Sequence, residues 1–443
     1  MSPGASENSL VVQMRRHARE YFERALAECS IPRAFGRNIR LEGAHLRIGE
    51  SDYDLSAFSP VAVVSIGKAG HSMAEALSNI VPTGIGGIVA CPARSSVPLA
   101  EFRYFYGGHP LPNEDSLHAG DAILDLLRAL PGGSLIVYLI SGGASAVAEK
   151  SLLPDLTLSD IVGTYRGLVH SGAPIAEINA IRKHLSAIKG GRMAQAASPA
   201  MQVSVLVSDV PDNALDALAS GPTMPDRSTV SDCYSIAERY RMLARFPRRL
   251  RPIFERHELP ETPKAGEPVF CNSQYITVLS NQTAVRAAAQ RATEAGFIVE
   301  VDDSCDDWDY QQAADYLLAR LRTLRHSSSP VRLISGGEVT VQVEEKSGVG
   351  GRNQQFALYC AQKIAGEPIT VLSAGTDGID GNSPAAGAVV DGTTASRAKQ
   401  RGLDPETALA RFDAFPLLDA IGDTIVTGPT GNNVRDLRIL LAY

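Results

Sequence analysis

Eight stretches of this chain are apolar for the length of a strand, with helical patterns between them: VAVVSIGKAG, GGIVAC, SLIVYLISGG, VSVLVSDV, YITVLSNQ, FIVEVDD, VRLISGG and PITVLSAG. An unbroken apolar strand is buried on both faces, and helices between such strands supply the cover. The pattern predicts an α/β fold of mostly parallel sheets flanked by helices. With 443 residues the chain exceeds one ordinary core, so two domains are expected. The proline-rich, charged stretch around residues 245–268 suggests the boundary. This gives a Rossmann-like first domain over residues 1–250 and a second α/β domain over 251–443. Ahead of the first strand, Val11, Met14, Ala18, Phe22 and Ala25 follow helical spacing, with Ser9 as a plausible N-cap.

Six serines stand at or beside the carboxyl ends of these strands: Ser65, Ser141, Ser208, Ser280, Ser335 and Ser373. A serine there caps the next helix or bonds a ligand, and capping is the commoner use of any single one. Together they mark the edge where ligands gather in open α/β sheets. The pentapeptide LISGG ends two of the strands, at residues 139–143 and 333–337. The first copy continues as ASAVAEK and the second as EVTVQVEEK, which reads as another strand. Shared turn chemistry explains the match better than a repeat.

A net charge of -7 without a dense basic stripe argues against nucleic acid or an anionic membrane as partner. The six cysteines show no CxxC and no metal-ligand spacing, so reduced and mostly buried thiols are expected. Neither an apolar leader nor about 18 consecutive apolar residues occurs. A soluble cytoplasmic protein is the expectation.

Gly67, Lys68 and Gly70 lie at a strand-to-helix turn, where glycines admit an anion and lysine adds charge, although a plain surface lysine explains them too. Ser141, Gly142, Gly143 and Ser145 make either a tight turn or a phosphate cradle. Asn179 and Lys183 share one helical face and could clamp an anion, or face solvent. Asp209 ends a strand, a common place for a carboxylate on a metal or a hydroxyl. In the second domain Gly336, Gly337 and Glu338 follow a strand, and Arg352 and Asn353 open a helix. The arginine there serves either as a phosphoryl clamp or as a salt-bridge partner. Asp377, Asp380 and Asp391 lie among glycines, which suits magnesium, ribose or Asx turns.

In order along the chain, SIGKAG, GGHPLPNEDS, LISGG, NAIRKHLSAIKGGRMA, SDVP, ASGPT, SGGEVTV, GGRNQQFAL, GTDGIDG, AAGAVVDG and TGPTGNNVRDL resemble the class II glycerate kinases. That family pairs an N-terminal glycerate kinase domain with a C-terminal MOFRL domain, the latter corresponding here to residues of about 330–440. The resemblance implies transfer of a phosphoryl group from ATP, with Mg²⁺, to D-glycerate, giving 2-phosphoglycerate. It implies Lys68 and Arg352 as catalytic residues. Gly67, Ser141, Gly142, Gly143, Ser145, Asn179, Lys183, Gly336, Gly337, Glu338 and Asn353 become candidates for contact with substrate or nucleotide, and Asp209 and Asp377 for the metal. The expected partners are these small molecules, with a homodimer as the protein partner considered.

The chain departs from the family pattern at Ala144, where a third glycine is usual, after SDVP, and at Pro384, where an aspartate is frequent. Two other readings compete. An NAD(P)H-dependent hydroxypyruvate reductase would need a dinucleotide motif, and no GxGxxG follows a strand with an acidic residue about 20 positions on. A non-catalytic nucleotide or sugar-acid sensor would exploit the departures. The kinase reading carries a spatial expectation, that both Gly-Gly turns, Lys68 and Arg352 line an active-site cleft between the domains.

Overall fold

The computed structural model describes residues 3–327, 330–343 and 348–443. The chain divides into two compact units. Ile31–Val278 form one, and Leu279–Tyr443 together with the residues up to Ser30 form the other.

The unit Ile31–Val278 opens with a small antiparallel sheet of β1 (Ile39–Glu42), β2 (His45–Ile48) and β3 (Ser51–Asp54). Its main sheet holds β4 (Val61–Ile66), β5 (Gly86–Ala90), β6 (Phe102–Phe105), β7 (Leu135–Ser141), β8 (Met201–Val207) and β9 (Ser273–Leu279). The spatial order is β6-β5-β4-β7-β8-β9, with parallel pairing from β6 through β8. Counted in chain order the strands run 3-2-1-4-5-6, the doubly wound arrangement whose direction reverses between β4 and β7. Ligands bind outside the carboxyl ends at such a reversal, because the loops there part to opposite faces. Every residue of β7 is buried, as its unbroken apolar run requires. Val64, Ile66, Tyr138, Ile140 and Leu206 pack against Ile123 and Leu127 of the helix Glu114–Ala129, which Asn113 and Ser116 cap reciprocally.

A second cluster of this unit joins Ile161, Tyr165 and Ile181 to Phe246, Leu250 and Phe254. The last three lie at the start of the charged, proline-rich stretch, which therefore contributes core side chains to this unit. The division at residues 278 and 279 therefore differs from the expected 250 and 251.

In the other unit, β10 (Ile298–Val301), β11 (Val331–Gly336), β12 (Ile369–Gly375), β13 (Gly387–Asp391), β14 (Thr424–Ile425) and β15 (Asp436–Ala442) form a sheet of order β10-β11-β15-β12-β13-β14. Here β10 and β11 run parallel, whereas β15 lies antiparallel between β11 and β12 and β13 and β14 add antiparallel pairs. The expectation of a mostly parallel sheet in both domains is corrected in this one, which is mixed. The reason lies in β15, whose apolar run is interrupted by Arg438, a fully buried side chain. The continuation of the second LISGG is not a strand over residues 338–343, where Thr340 makes an isolated bridge to Asp309; residues 344–347 lie outside the described residues.

The first helix spans Pro3–Glu28, so Ser9 lies inside it and is no cap. Met14, Ala18, Phe22 and Ala25 are buried as their spacing predicts. This face packs on the helix Asn281–Glu294 and on β12, β13 and β15, and Arg15 pairs with Asp391 and Asp423, both at 2.6 Å. The helix thus belongs to the second unit rather than to a domain of residues 1–250. Among the described residues no helix is long and apolar enough to cross a membrane. Five cysteines are buried, Cys271 is exposed, and all six are free. The expected cleft concerns the pair of units and remains an expectation.

Candidate functional site

The strand-end serines are used by the protein itself. Ser65 Oγ donates to the Gly70 carbonyl at 2.6 Å, Ser141 Oγ accepts from the Ala69 N–H at 3.1 Å, and Ser373 Oγ donates to Asn353 Oδ1 at 2.6 Å. Ser280 forms a capping box with Thr283, while Ser208 and Ser335 bond local carbonyls. They mark the edge, as expected, but their hydroxyls shape turns.

At the carboxyl edge of β4 and β7 the two turns interlock. The N–H groups of Gly67, Lys68, Ala69 and Gly70 all bond protein acceptors: Ala90 O, Gly142 O, Ser141 Oγ and Gly67 O. Backbone amides of this turn therefore hold no phosphate, and its charge comes from the exposed Lys68 side chain. Gly67 has a φ of 118°, and a Cβ there would stand 2.5 Å from the Ser141 carbonyl oxygen. Glycine is needed so that β4 and β7 can close on each other.

Three further side chains converge on this edge. A Cβ on Gly142 would run into the Asp209 carboxylate, with its Cγ at 2.5 Å. A Cβ on Gly143 would meet His109 Cδ2 at 3.0 Å and Lys68 Cγ at 3.1 Å. His109 sits in the GGHP loop after β6, and that loop is pressed against the helix Ala144–Val147, since a Cβ on Gly107 would lie 2.7 Å from the Val147 carbonyl carbon. Burial and then the Lys68 charge hold the His109 imidazole below its usual pKa. Ser145 Oγ lies 3.0 Å from Ser220 Oγ. Of the sequence candidates, Lys68, Gly142, Gly143 and Asp209 thus meet at this edge, with Ser145 two residues beyond Gly143. His109 and Ser220 were missed, although both stand in the motifs GGHP and ASGPT. Ala144 opens a right-handed helix. A third glycine is not required there.

Lys183 is not an anion clamp. It is buried, with Nζ 3.0 Å from Asp226 Oδ1 and 3.3 Å from Asp216 Oδ2. Asn179 is half-buried one turn earlier on the same helix, Ile175–Leu185. Below the edge, Lys189 pairs with Glu149, which also accepts from Tyr165 and from Ser186 Oγ at 2.6 Å. Burial pulls the Lys189 ammonium down to about 8 against the attraction of Glu149. This pair joins the segment after the first Gly-Gly turn to Gly190 and Gly191, whose N–H groups hold the carbonyls of Ser220 and Gly221 at 3.0 and 2.7 Å.

In the other unit Arg352 donates to Asp436 through Nε at 2.6 Å and Nη2 at 3.1 Å, and its Nη2 also meets Glu338 at 2.6 Å. Burial works against the guanidinium charge, yet Asp436 and Glu338 outweigh it and raise the pKa. The second Gly-Gly turn has its backbone fully engaged. Gly336 N–H goes to Asp303, Gly337 N–H to Asn281 and Glu338 N–H to Asp306, at 2.6, 2.9 and 3.0 Å. Arg438 holds the Gly336 and Gly337 carbonyls at 3.0 and 3.1 Å. Gly336 and Gly337 thus offer no donor to a nucleotide. Asn353 is buried, and Asp380 accepts from the N–H groups of Asn353 and Gln354 at 3.0 and 2.9 Å. A carboxylate of the protein therefore occupies this helix start in place of a ligand anion. Burial raises that carboxyl to about 6 although those N–H bonds favour its charge.

Asp377 is half-buried after β12 and accepts from the Ile379 N–H at 3.1 Å. Asp391 ends β13, where it anchors Arg15, at the opposite sheet edge from Asp377 because β12 and β13 are antiparallel. Among the described residues no group of three or more His, Cys, Asp or Glu could hold a metal ion. A magnesium ion carried by a nucleotide needs one or two carboxylates besides phosphate oxygens and water. Asp209 and Asp377 fit that smaller demand, each as a single strand-end carboxylate.

The profile of a Domain of unknown function (DUF4147) matches residues 17–255, and that of the MOFRL family matches residues 331–436. The chain is 36% identical over 386 residues to the D-glycerate 2-kinase of Thermotoga maritima, covering 86% of this chain and 90% of that one. It is 31% identical to the glycerate kinase of Homo sapiens, covering 96% and 93%. A putative hydroxypyruvate reductase of Agrobacterium vitis is 36% identical, covering 86% of each. The crystal structure of a glycerate kinase from Thermotoga maritima superposes with a TM-score of 0.84 at 32% identity, covering 97% of this chain and all of that one.

Proposed function

Since the chain belongs to the glycerate kinase family with a MOFRL domain, we propose that it transfers the γ-phosphoryl group of ATP to the C2 hydroxyl of D-glycerate. The observation that carries this reading is the meeting of Lys68, His109, Gly143 and Asp209 at the strand-order reversal of a doubly wound sheet. The glycerate oxygen attacks the γ-phosphorus, an O–P bond forms, and the bond to the bridging oxygen of ADP breaks. Such a transfer depends on positioning and on charge placed where the transition state needs it. Lys68 supplies a mobile cation at the edge. His109, neutral at neutral pH, offers a nitrogen lone pair for the hydroxyl proton. Arg352, kept charged by Asp436 and Glu338, is the candidate on the other unit for meeting phosphoryl charge. Magnesium carried by ATP would supply further charge neutralisation, with Asp209 in one unit or Asp377 in the other as the candidate carboxylate that would hold it.

A coupled assay tests the reading with two arms, D-glycerate with ATP and magnesium, and hydroxypyruvate with NADH or NADPH. ADP release in the first arm, with 2-phosphoglycerate identified by phosphorus NMR, is expected. Turnover in the second arm alone would replace the kinase by the reductase, and nucleotide binding without turnover in either arm would favour the sensor.

A further inference from the structure

Ala219, Ser220 and Gly221 are three successive residues with φ of 54°, 61° and 59°. Glycine takes this left-handed region without cost, but side chains bearing a Cβ do not, and such residues persist where the surroundings hold them. The surroundings here are explicit. Gly190 and Gly191 donate to the Ser220 and Gly221 carbonyls, and the buried Lys189–Glu149 pair anchors the segment that carries those glycines. A glycine at 220 would relieve the backbone, yet the position holds a serine whose hydroxyl meets that of Ser145 at 3.0 Å. Ser220 is buried, whereas Ser145 is half-buried two residues beyond Gly143, beside Lys68 and His109.

We infer that Ser220 is a positioning residue that fixes the Ser145 hydroxyl to bond the acceptor substrate, a small hydroxy acid, rather than the nucleotide. The inference rests on the kinase reading above. In a doubly wound sheet the nucleotide lies towards the first strand, here β4, where the exposed Lys68 side chain rather than the engaged backbone amides would meet its phosphates, which leaves the β7 and β8 side to the second substrate. Ser145 follows β7, and Ser220 follows β8. With Ser220 bonded to one side of its oxygen, Ser145 keeps a single orientation in which to meet a carboxylate or hydroxyl of glycerate.

The test uses the full chain and the variants S220G, S220A, S145A and S145A/S220G. Wild-type turnover of glycerate with ATP establishes the kinase; its absence overturns that reading, independently of the variants. Given that turnover, S220G, S220A and S145A should each raise KM for glycerate roughly tenfold, the worth of about one hydrogen bond, with KM for ATP unchanged. S220G should keep or raise the melting temperature, because it removes strain. The double variant should be no worse than S145A, since Ser220 acts through Ser145. An unchanged glycerate KM in S220G and S220A, an additive double variant, or a lowered melting temperature in S220G would each overturn the inference.

Discussion

Gly142→Ala separates the role of Asp209 from the stability of the fold. The added Cβ would overlap Asp209 Oδ2 and stand 2.5 Å from its Cγ, where ordinary contact begins near 3.4 Å, so the carboxylate must retreat by more than 1 Å. Gly142 does not have a positive φ, and the obstacle is the end of a side chain rather than backbone. A small rotation of the Asp209 side chain suffices, at about 1 kcal/mol. For a unit of this size that lowers the melting temperature by roughly 2–4 °C. The effect on catalysis should be far larger, because a displacement of about 1 Å at a reacting centre costs on the order of 100-fold. Measuring ADP release with glycerate alongside thermal unfolding reads both quantities. A kcat/KM within threefold of wild type, at the expected small loss of stability, would remove Asp209 from the reaction. Gly67→Ala is the contrast, since it meets backbone at positive φ and should unfold the unit rather than silence it.

Other perturbations separate charge, burial and protonation. Lys68→Ala should leave the melting temperature within about 1 °C, since the residue is exposed, while kcat falls on the order of 100-fold; unchanged kcat would exclude it. Arg352→Ala should lose activity and also stability, by about 2–3 kcal/mol, because Asp436 is left buried without its partner. Arg352→Lys keeps a charge but loses the fork, so it should retain most stability and still lose at least about tenfold in kcat. Lys189→Met should cost about 3–5 kcal/mol in a denaturant titration by stranding Glu149, and a neutral result would show the pair to be dispensable. Asp380 has a folded pKa of about 6, raised above the unfolded value of 3.8. The native state therefore binds the proton more tightly, and this group adds stability as pH falls from above 6 towards 4, up to about 3 kcal/mol. Unfolding free energies across that range should show the rise in wild type relative to Asp380→Asn; a difference of opposite sign would refute it.

The sheets were legible wherever a strand is apolar throughout, as in β7 and β12, because double burial leaves no other composition. Strands that bury one face or carry a special residue were not. β1 and β2 alternate polar and apolar positions over four residues each, β3 has Tyr53 as its one apolar residue, and β15 hides behind Arg438. The placement of the first helix was equally hidden, for its apolar stripe states that it packs but not against what. Arg15, the residue that decides the matter, pairs with aspartates 376 and 408 positions away. Lys183 and Asn353 looked like ligand-facing residues because local sequence cannot reveal Asp226 or Asp380 as their partners. His109 carried a readable signal, a lone histidine between two glycines and a proline, in a loop set by close contact with the turn after β7.

The two LISGG segments show how equal letters meet different obligations. In both copies a side chain fills the space of the first glycine's missing Cβ, Asp209 at Gly142 and Asn281 at Gly336. In both, the second glycine takes a left-handed φ, 81° at Gly143 and 84° at Gly337. The consequences then diverge through residues distant in sequence. Around the second turn Asp303, Asn281 and Asp306 take the N–H groups, and Arg438 takes the carbonyls. A phosphate placed there would have to displace protein bonds and face three carboxylates, Glu338, Asp303 and Asp306, so this turn serves as a rigid mount for Arg352 through Glu338. The first turn instead borders Lys68, His109 and Ser145, whose charge and hydrogen-bonding groups suit an anionic hydroxy acid and a phosphoryl group. On the proposed kinase reading the same strand-end device is spent on chemistry in one unit and on support in the other, and what separates the two is the set of side chains brought against each turn, not the glycine pair itself.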